Sequence, residues 1–307
     1  MMKRFVIVAT KGRAAETATL FDYLLKQTQR PDVVYVVGAE PADIEGLAAH
    51  ALNDAVAVTL LMSETAGLTA QRNCGVAALL HDVGPDDTHE LWYAVFFDDD
   101  FRPDDAWLEH CDALFAAHPE IIGMSGQVLA DGVKNRGVTE DEALGYLRGA
   151  LTRQEHWASG DERREITSAY GCNMAFVDRV VRVCRFDEAL PLYGWQEDQD
   201  YTSQARRFGQ FVYEPSCRGV HLGAKKGRIS GVRFGYSQIA NPIFLVKKNT
   251  MARKKAYVFI TRHLLSNLYH SLRSDPIFDY RGRLRGNLLA FFDFVCGTGH
   301  PKRILKM

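Results

Sequence analysis

The sequence predicts an α/β fold: a mixed, mostly parallel sheet flanked by helices, with a C-terminal helical extension. Three observations predict it. Short continuous apolar runs alternate with stretches of helical spacing up to residue 117; such runs are strands buried on both faces, and the helices between them cover those faces. An acidic cluster ends the apolar run 91–97, where the carboxyl edge of a sheet lies. From about Lys225 the chain turns from acidic to basic and long helical stripes take over.

Taken in order, residues 4–9 (RFVIVA) form an uninterrupted β-branched run, which is the pattern of a central strand. Residues 16–27 place Leu20, Tyr23, Leu24 and Gln27 at helical spacing. Residues 33–37, 56–61 and 91–97 are further apolar runs. A helix over 69–80 separates the last two, and another over 104–117 follows. Residues 121–128 predict one more strand. Residues 131–168 are charged and interrupted by glycine, and read as a surface excursion. After Gly209, FVYEPSCRGVHLG predicts a short strand and a turn. Residues 257–272 set Tyr257, Ile260, Leu264, Leu265, Leu268 and Leu272 on one helical face, a stripe that calls for burial, and 284–295 are similar.

The 307 residues, 47% of them hydrophobic, have room for one large domain with an extension, divided here as 1–232 and 233–307. A net charge of −1 conceals a strong asymmetry. Residues 1–224 carry 20 Lys and Arg against 35 Asp and Glu, whereas 225–307 carry 17 against 3. The two parts therefore meet different partners, or each other. The six cysteines show no metal-binding or disulfide spacing, as befits a reducing compartment. MMKRFVIVATKGR lacks a small-residue cleavage site and reads as a first strand, and no apolar run is long enough to span a bilayer. A cytoplasmic protein, soluble or peripheral on a membrane, is expected.

The strongest local signal is Phe96-Phe97-Asp98-Asp99-Asp100 at the end of an apolar run. In extended chain Asp98 and Asp100 share a face, which suits a hard divalent cation; the alternative is a solvated acidic turn. A second cluster, Gly194-Trp195-Gln196-Glu197-Asp198-Gln199-Asp200, opens a helix that Gly209 closes. Acids there favour the helix dipole, yet one suffices for that, and a carboxylate so held can also take a proton. Arg72 in GLTAQRNCG and His221 in GVHLG are the remaining candidates. Each alone is as readily a surface cation or a structural hydrogen-bond donor.

Together these segments resemble glycosyltransferase family 2, the inverting enzymes of GT-A (Rossmann-like) fold. VIVATKGR, LTAQRNCGVAAL, FFDDDFRPDDAWL, GCNMAF and GWQEDQDYTSQARRFG occur in that family's order, and IANPIFLVKKN with RGRLRGNLLAFFDFVCG is similar to C-terminal segments of members that build bacterial surface polysaccharides. The resemblance implies a Mn2+- or Mg2+-dependent enzyme that moves a sugar from a nucleotide-diphosphate donor to a saccharide or lipid-linked saccharide. FFDDD looks like the family's metal motif. Asp100 would hold the metal, Asp98 the metal or ribose, and Asp99 would be a lesser donor contact. Asp198 is the implied general base, with Glu197 and Asp200 as possible support. Thr10 and Arg13 match the first nucleotide-contacting loop, Arg72 a nucleoside or diphosphate contact, and His221 a further metal ligand. Many members carry an acid directly after the second strand; here the chain reads Val37-Gly38-Ala39-Glu40, and Glu40 is the stand-in.

Other classes fit less well. A sugar-phosphate nucleotidyltransferase needs a Gly-rich first loop, and VATKGR offers only Gly12. An NAD enzyme needs GxGxxG after the first strand, which is absent. A non-catalytic relative binding nucleotide or carbohydrate would have little use for two acidic clusters. For the basic tail, packing on the acidic body or a homo-oligomer interface is preferred, with an anionic membrane surface as the other reading. Nucleic acid is not expected, because the apolar stripes call for burial.

Overall fold

The computed structural model describes residues 2–85, 91–224, 230–273 and 275–307. In chain order its body comprises β1 (Lys3–Ala9), α1 (Ala14–Leu25), β2 (Val33–Gly38), β3 (Ala57–Met62), α2 (Leu68–Val83), β4 (Trp92–Asp98), β5 (Phe101–Pro103) and α3 (Trp107–Ala117). It continues with β6 (Ile121–Asp131), α4 (Glu140–Leu147), β7 (Arg164–Glu165), β8 (Asn173–Val177), α5 (Asp178–Val183), α6 (Glu197–Ala205) and β9 (Gln210–His221). These strands form a single sheet in the order β3-β2-β1-β4-β8-β6-β9-β5, with β7 paired to β9. β3, β2, β1 and β4 run parallel, β8 runs against β4 and β6, and β6 is parallel to β9. The predicted mixed, mostly parallel sheet is therefore present.

The reversal at β8 positions the site. β1 and β4 are parallel neighbours, and the polar ends of both emerge at one carboxyl edge. β9, predicted as a short strand and turn, is twelve residues long, and register shifts along its pairing with β6 let it curl. The curl brings His221 opposite Phe101, just beyond the acidic triplet. Beneath this edge lies an apolar core in which Phe96, Phe176, Phe186 and Tyr201 pack ring against ring.

The segment 131–168 is more ordered than its composition predicts. Thr139 and Glu142 form a reciprocal capping box that starts α4, whose Ala143 packs with Leu129, Val220 and Leu222.

The tail comprises α7 (Gly231–Lys247), α8 (Arg253–Ser271), α9 (Tyr280–Val295) and a short 3-10 turn, Pro301–Lys306. α7 begins two residues before the predicted boundary at 233. Part of the tail packs on the body, as preferred. Asn241 donates to the Trp195 carbonyl at 2.7 Å, Gln199 donates to the Thr250 carbonyl at 3.0 Å, and Lys248 reaches Asp187 and Asp200, each at 2.7 Å. The stripe on α8 does not behave as its spacing predicts: Tyr257, Leu265, Leu268 and Leu272 face outward, and the buried positions are Ala256 and Asn267. No described helix is long and apolar enough to cross a membrane.

Candidate active site

β4 delivers its last residue, Asp98, to the sheet edge, and the following turn tucks Asp99 and Asp100 inward, where both are buried. Three carboxylates so close demand positive charge. Arg13, at the start of α1, supplies one guanidinium, 3.2 Å from Asp99 and 3.3 Å from Asp100. His221 supplies the other contact: its Nε2 lies 3.3 Å from Asp100 Oδ1 and 3.9 Å from Asp98 Oδ2. Asp98, Asp100 and His221 each present one donor atom within 4.8 Å of the others. Asp100 Oδ1 is buried without a hydrogen bond among the described residues, while Oδ2 accepts from the Ala224 amide at 2.7 Å. Two oxygens with one imidazole nitrogen are a donor set that suits a divalent cation.

The protonation preferences follow this crowding. Burial disfavours charge on every group here. His221 and Arg13 overcome it at Asp100 and hold that carboxyl well below the usual carboxylate range. Asp99 has the same burial and the Asp100 charge beside it, and despite Arg13 its pKa is pushed up. Burial also opposes a charge on His221, but Asp100 and Asp131 outweigh it and raise its pKa well above the ordinary value.

The second acidic cluster lies beside the first. Arg72, 1% exposed, donates to Glu197 at 2.6 Å, to Asp98 at 2.9 Å and to the Gly171 carbonyl at 2.7 Å. One guanidinium thus ties the sheet edge to the start of α6. It cannot neutralise two acids, and burial pushes Glu197 up to about 8 against its pull. Asp198 accepts from the Gly171 amide at 3.1 Å and from the Gln199 amide at 2.7 Å. Burial outweighs those two donors and raises its pKa above the ordinary value. Gly171 threads between the clusters, and a Cβ there would lie 2.8 Å from Glu197 Oε1.

The structure therefore gathers Arg13, Arg72, Asp98, Asp99, Asp100, Glu197, Asp198 and His221 at one place. Thr10 is buried nearby at the end of β1, where the Thr17 hydroxyl reaches it at 3.2 Å. Arg72 is so enclosed that its placement is that of a tie between clusters rather than of a donor contact. Glu40 is on the surface, paired with Lys11 at 2.7 Å. Asp43, three residues on, is the buried acid of this loop and accepts from the amides of Gly12, Ala39 and Glu40. Asp200 is turned away from the acidic triplet and into the Lys248 contact.

Residues that sequence reasoning missed stand behind His221. Asp131 accepts from or pairs with its Nδ1 at 3.1 Å, the Tyr170 hydroxyl donates to Asp131 at 2.8 Å, and His156 approaches it at 3.3 Å. A carboxylate on Nδ1 leaves Nε2 facing Asp98 and Asp100, the arrangement that orients a histidine ligand. The available signal was Asp131 itself, an acid closing a long apolar run, as Asp98 does.

No family model matches the chain, and no curated protein sequence does. Solved structures do. S. aureus TarS 1-349 in complex with UDP shares 15% identity at a TM-score of 0.56, over 90% of this chain and 76% of that one. Mannosyltransferase PcManGT from Pyrobaculum calidifontis, in complex with GDP-Man and Mn2+, shares 14% identity at 0.53, over 95% and 86%. The fold is that of GT-A-like glycosyltransferases. A longer S. aureus TarS chain matches at 17% identity and 0.51 over 78% of this chain, which spans 40% of that protein's length. At such identities the likeness shows the glycosyltransferase fold and leaves the chemistry to the residues.

Proposed function

We propose that this chain is a metal-dependent inverting glycosyltransferase of family 2 type, moving a sugar from a nucleotide-diphosphate donor to a hydroxyl of a saccharide or lipid-linked saccharide in bacterial polysaccharide or glycolipid assembly. The observation that carries it is a cation-ready Asp98, Asp100 and His221 set tied through Arg72 to Glu197, the residue beside Asp198. The UDP, GDP-Man and Mn2+ of the fold neighbours support the donor and metal classes.

In this reading Asp98, Asp100 and His221 hold Mn2+ or Mg2+, and the imidazole donor favours Mn2+. The ion, when bound, supplies Lewis-acid neutralisation of the leaving diphosphate. Arg13 and the loop from Thr10 flank the donor, with Asp99 and Glu40 as lesser contacts. Among the three acids of α6, Glu197 is tied to Arg72 and Asp200 to Lys248, while Asp198 makes no ion pair among the described residues. Its two amide contacts orient it and leave lone pairs free, so Asp198 takes the acceptor proton as the acceptor oxygen attacks from the opposite face of the sugar. Arg72 acts as a positioning residue for Asp198 through Glu197 and Gly171, and Asp131 as one for His221. Residues 1–232 carry this chemistry and 233–307 brace it, in a protein that works on the cytoplasmic side.

The test is a panel of nucleotide sugars assayed for hydrolysis and transfer with Mn2+, Mg2+ or EDTA. Release of nucleotide diphosphate that EDTA stops and Mn2+ restores is expected. Tight binding of a sugar nucleotide with no turnover on any acceptor would favour a non-catalytic binding protein instead.

A further inference from the structure

The three tail helices share a small apolar core of Tyr236, Ile239, Ala240, Ala290 and Ile304. Beside it they bury a polar network: Asn267 donates to Gln238 at 2.7 Å and to Asn287 at 2.8 Å, Asn287 donates to the Gly235 carbonyl at 2.7 Å, and Tyr236 donates to Asp293 at 2.9 Å. α7 and α9 approach so closely that a methyl group at Gly235 would overlap the Arg283 carbonyl, and one at Gly286 the Val232 carbonyl. Their exterior is apolar. On α8, Val258, Leu265, Tyr269 and Leu272 are exposed at spacings that share the face opposite Asn267, and Tyr257 and Leu268 are exposed on its flank. On α9, Leu288, Phe292 and Val295 project opposite Ala290, and Val295 is 87% exposed. A helix whose solvent face is its apolar face is not built for water on that side.

The charge identifies what covers it. Of the three acids in 225–307, Asp293 is held inside by Tyr236 and Arg303, Asp279 caps α9, and Asp275 accepts from the Ile277 and Phe278 amides. None is on the apolar stripes. Apart from Asp279 at the start of α9, the exposed charges around them are cationic: Arg253, Lys254, Arg262, Arg273, Arg281 and Arg285. A second copy docking the same face would bring these cations against their own kind. A sheet of anionic headgroups over hydrocarbon satisfies both features, with apolar side chains entering the boundary and the Arg and Lys heads lying at phosphate level. No described helix can span, so the contact is in-plane.

We propose that the outward faces of α8 and α9 form a docking surface for an anionic lipid bilayer. The surface is separate from the acidic site, and the inference stands whether or not sugar transfer is the activity.

The experiment is flotation of the full chain with vesicles of phosphatidylcholine alone or mixed with phosphatidylglycerol. Three double variants accompany it: Leu265→Ser with Leu272→Ser, Phe292→Ser with Val295→Ser, and Arg281→Glu with Arg285→Glu. Circular dichroism and urea titration confirm that each variant is folded. Capture by the anionic vesicles, weakened by high salt and reduced by about tenfold or more in the Arg pair and in at least one apolar pair, is the expected result. Absence of capture, equal capture by neutral vesicles, or capture that no variant reduces overturns the proposal. A dimer in sedimentation that the apolar variants disperse, with no vesicle binding, overturns it in favour of a second copy.

Discussion

The body and the tail of this molecule solve opposite packing problems. In the body, the sheet hides Phe96, Phe176 and Tyr201, and Asp98, Asp100 and His221 converge at its carboxyl edge. In the tail, Asn267, Asn287 and Asp293 are inside while Leu272, Phe292 and Val295 are outside. The hydrophobic effect acts on both, so the difference lies in what each surface faces: water over the body, and on the proposal above lipid over α8 and α9. Buried polarity in the body gathers at the sheet edge as well as in structural contacts such as that of Arg4, and in the tail it joins one helix to another.

The largest expected effect tests the body. Asp198→Asn should lower transfer by about 10²–10⁴-fold, the usual contribution of a general base, with donor affinity by calorimetry little changed. Near-normal turnover would remove Asp198 from the mechanism. Next comes the join between the two regions. Lys248→Met strands Asp200, which is buried, and Asp187; the expected loss is about 3–5 kcal/mol in urea unfolding, largely restored by Lys248→Arg. If the tail were an independent appendage, the loss would be far smaller. The core contrast can be measured directly: Phe96→Ala should cost about 3–5 kcal/mol, whereas Phe292→Ala on the tail should stay within about 0.5 kcal/mol in vesicle-free buffer. Equal costs would erase the distinction drawn here.

Two smaller effects sharpen the site. Asp131→Asn should weaken Mn2+ binding, followed by electron paramagnetic resonance, by about 10–100-fold, because His221 loses the carboxylate that orients it. The pH dependence of kcat/KM should show an acidic limb above 3.8, the ordinary value for Asp, since burial raises the pKa of Asp198 and only its ionised form accepts a proton. Activity is then lost as pH falls through that raised value. A limb at or below the ordinary value would mean that Asp198 is better solvated or better paired than its surroundings imply.

Much of the body was legible in the sequence. Uninterrupted β-branched runs such as RFVIVA leave one reading, and the alternation with helical spacing gives the sheet its parallel core. β8 and β9 were not legible as partners, because antiparallel insertion at β4 and the curl of β9 depend on tertiary pairing and register shifts. The acidic triplet and the α6 acids could be named from their chemistry. Their junction could not: Arg72, read as a surface or donor residue, is enclosed by groups 26, 99 and 125 residues away. Asp131 was lost inside a stretch whose charge suggested a loop. The α8 stripe shows the limit of periodicity most clearly, since spacing says which residues share a face but not which way that face turns.

The Lys248 contact also bears on how this molecule can be cut or recombined. The abrupt change of charge near residue 225 invites a scissile boundary, yet an ammonium from beyond it neutralises carboxylates on both the loop and the helix that precede it. A chimera that exchanged the chain beyond residue 225 would need to import a cation at that same point. Without one, the helix bearing Asp198 would lose its brace, and a fault engineered at one end would surface as a defect at the other.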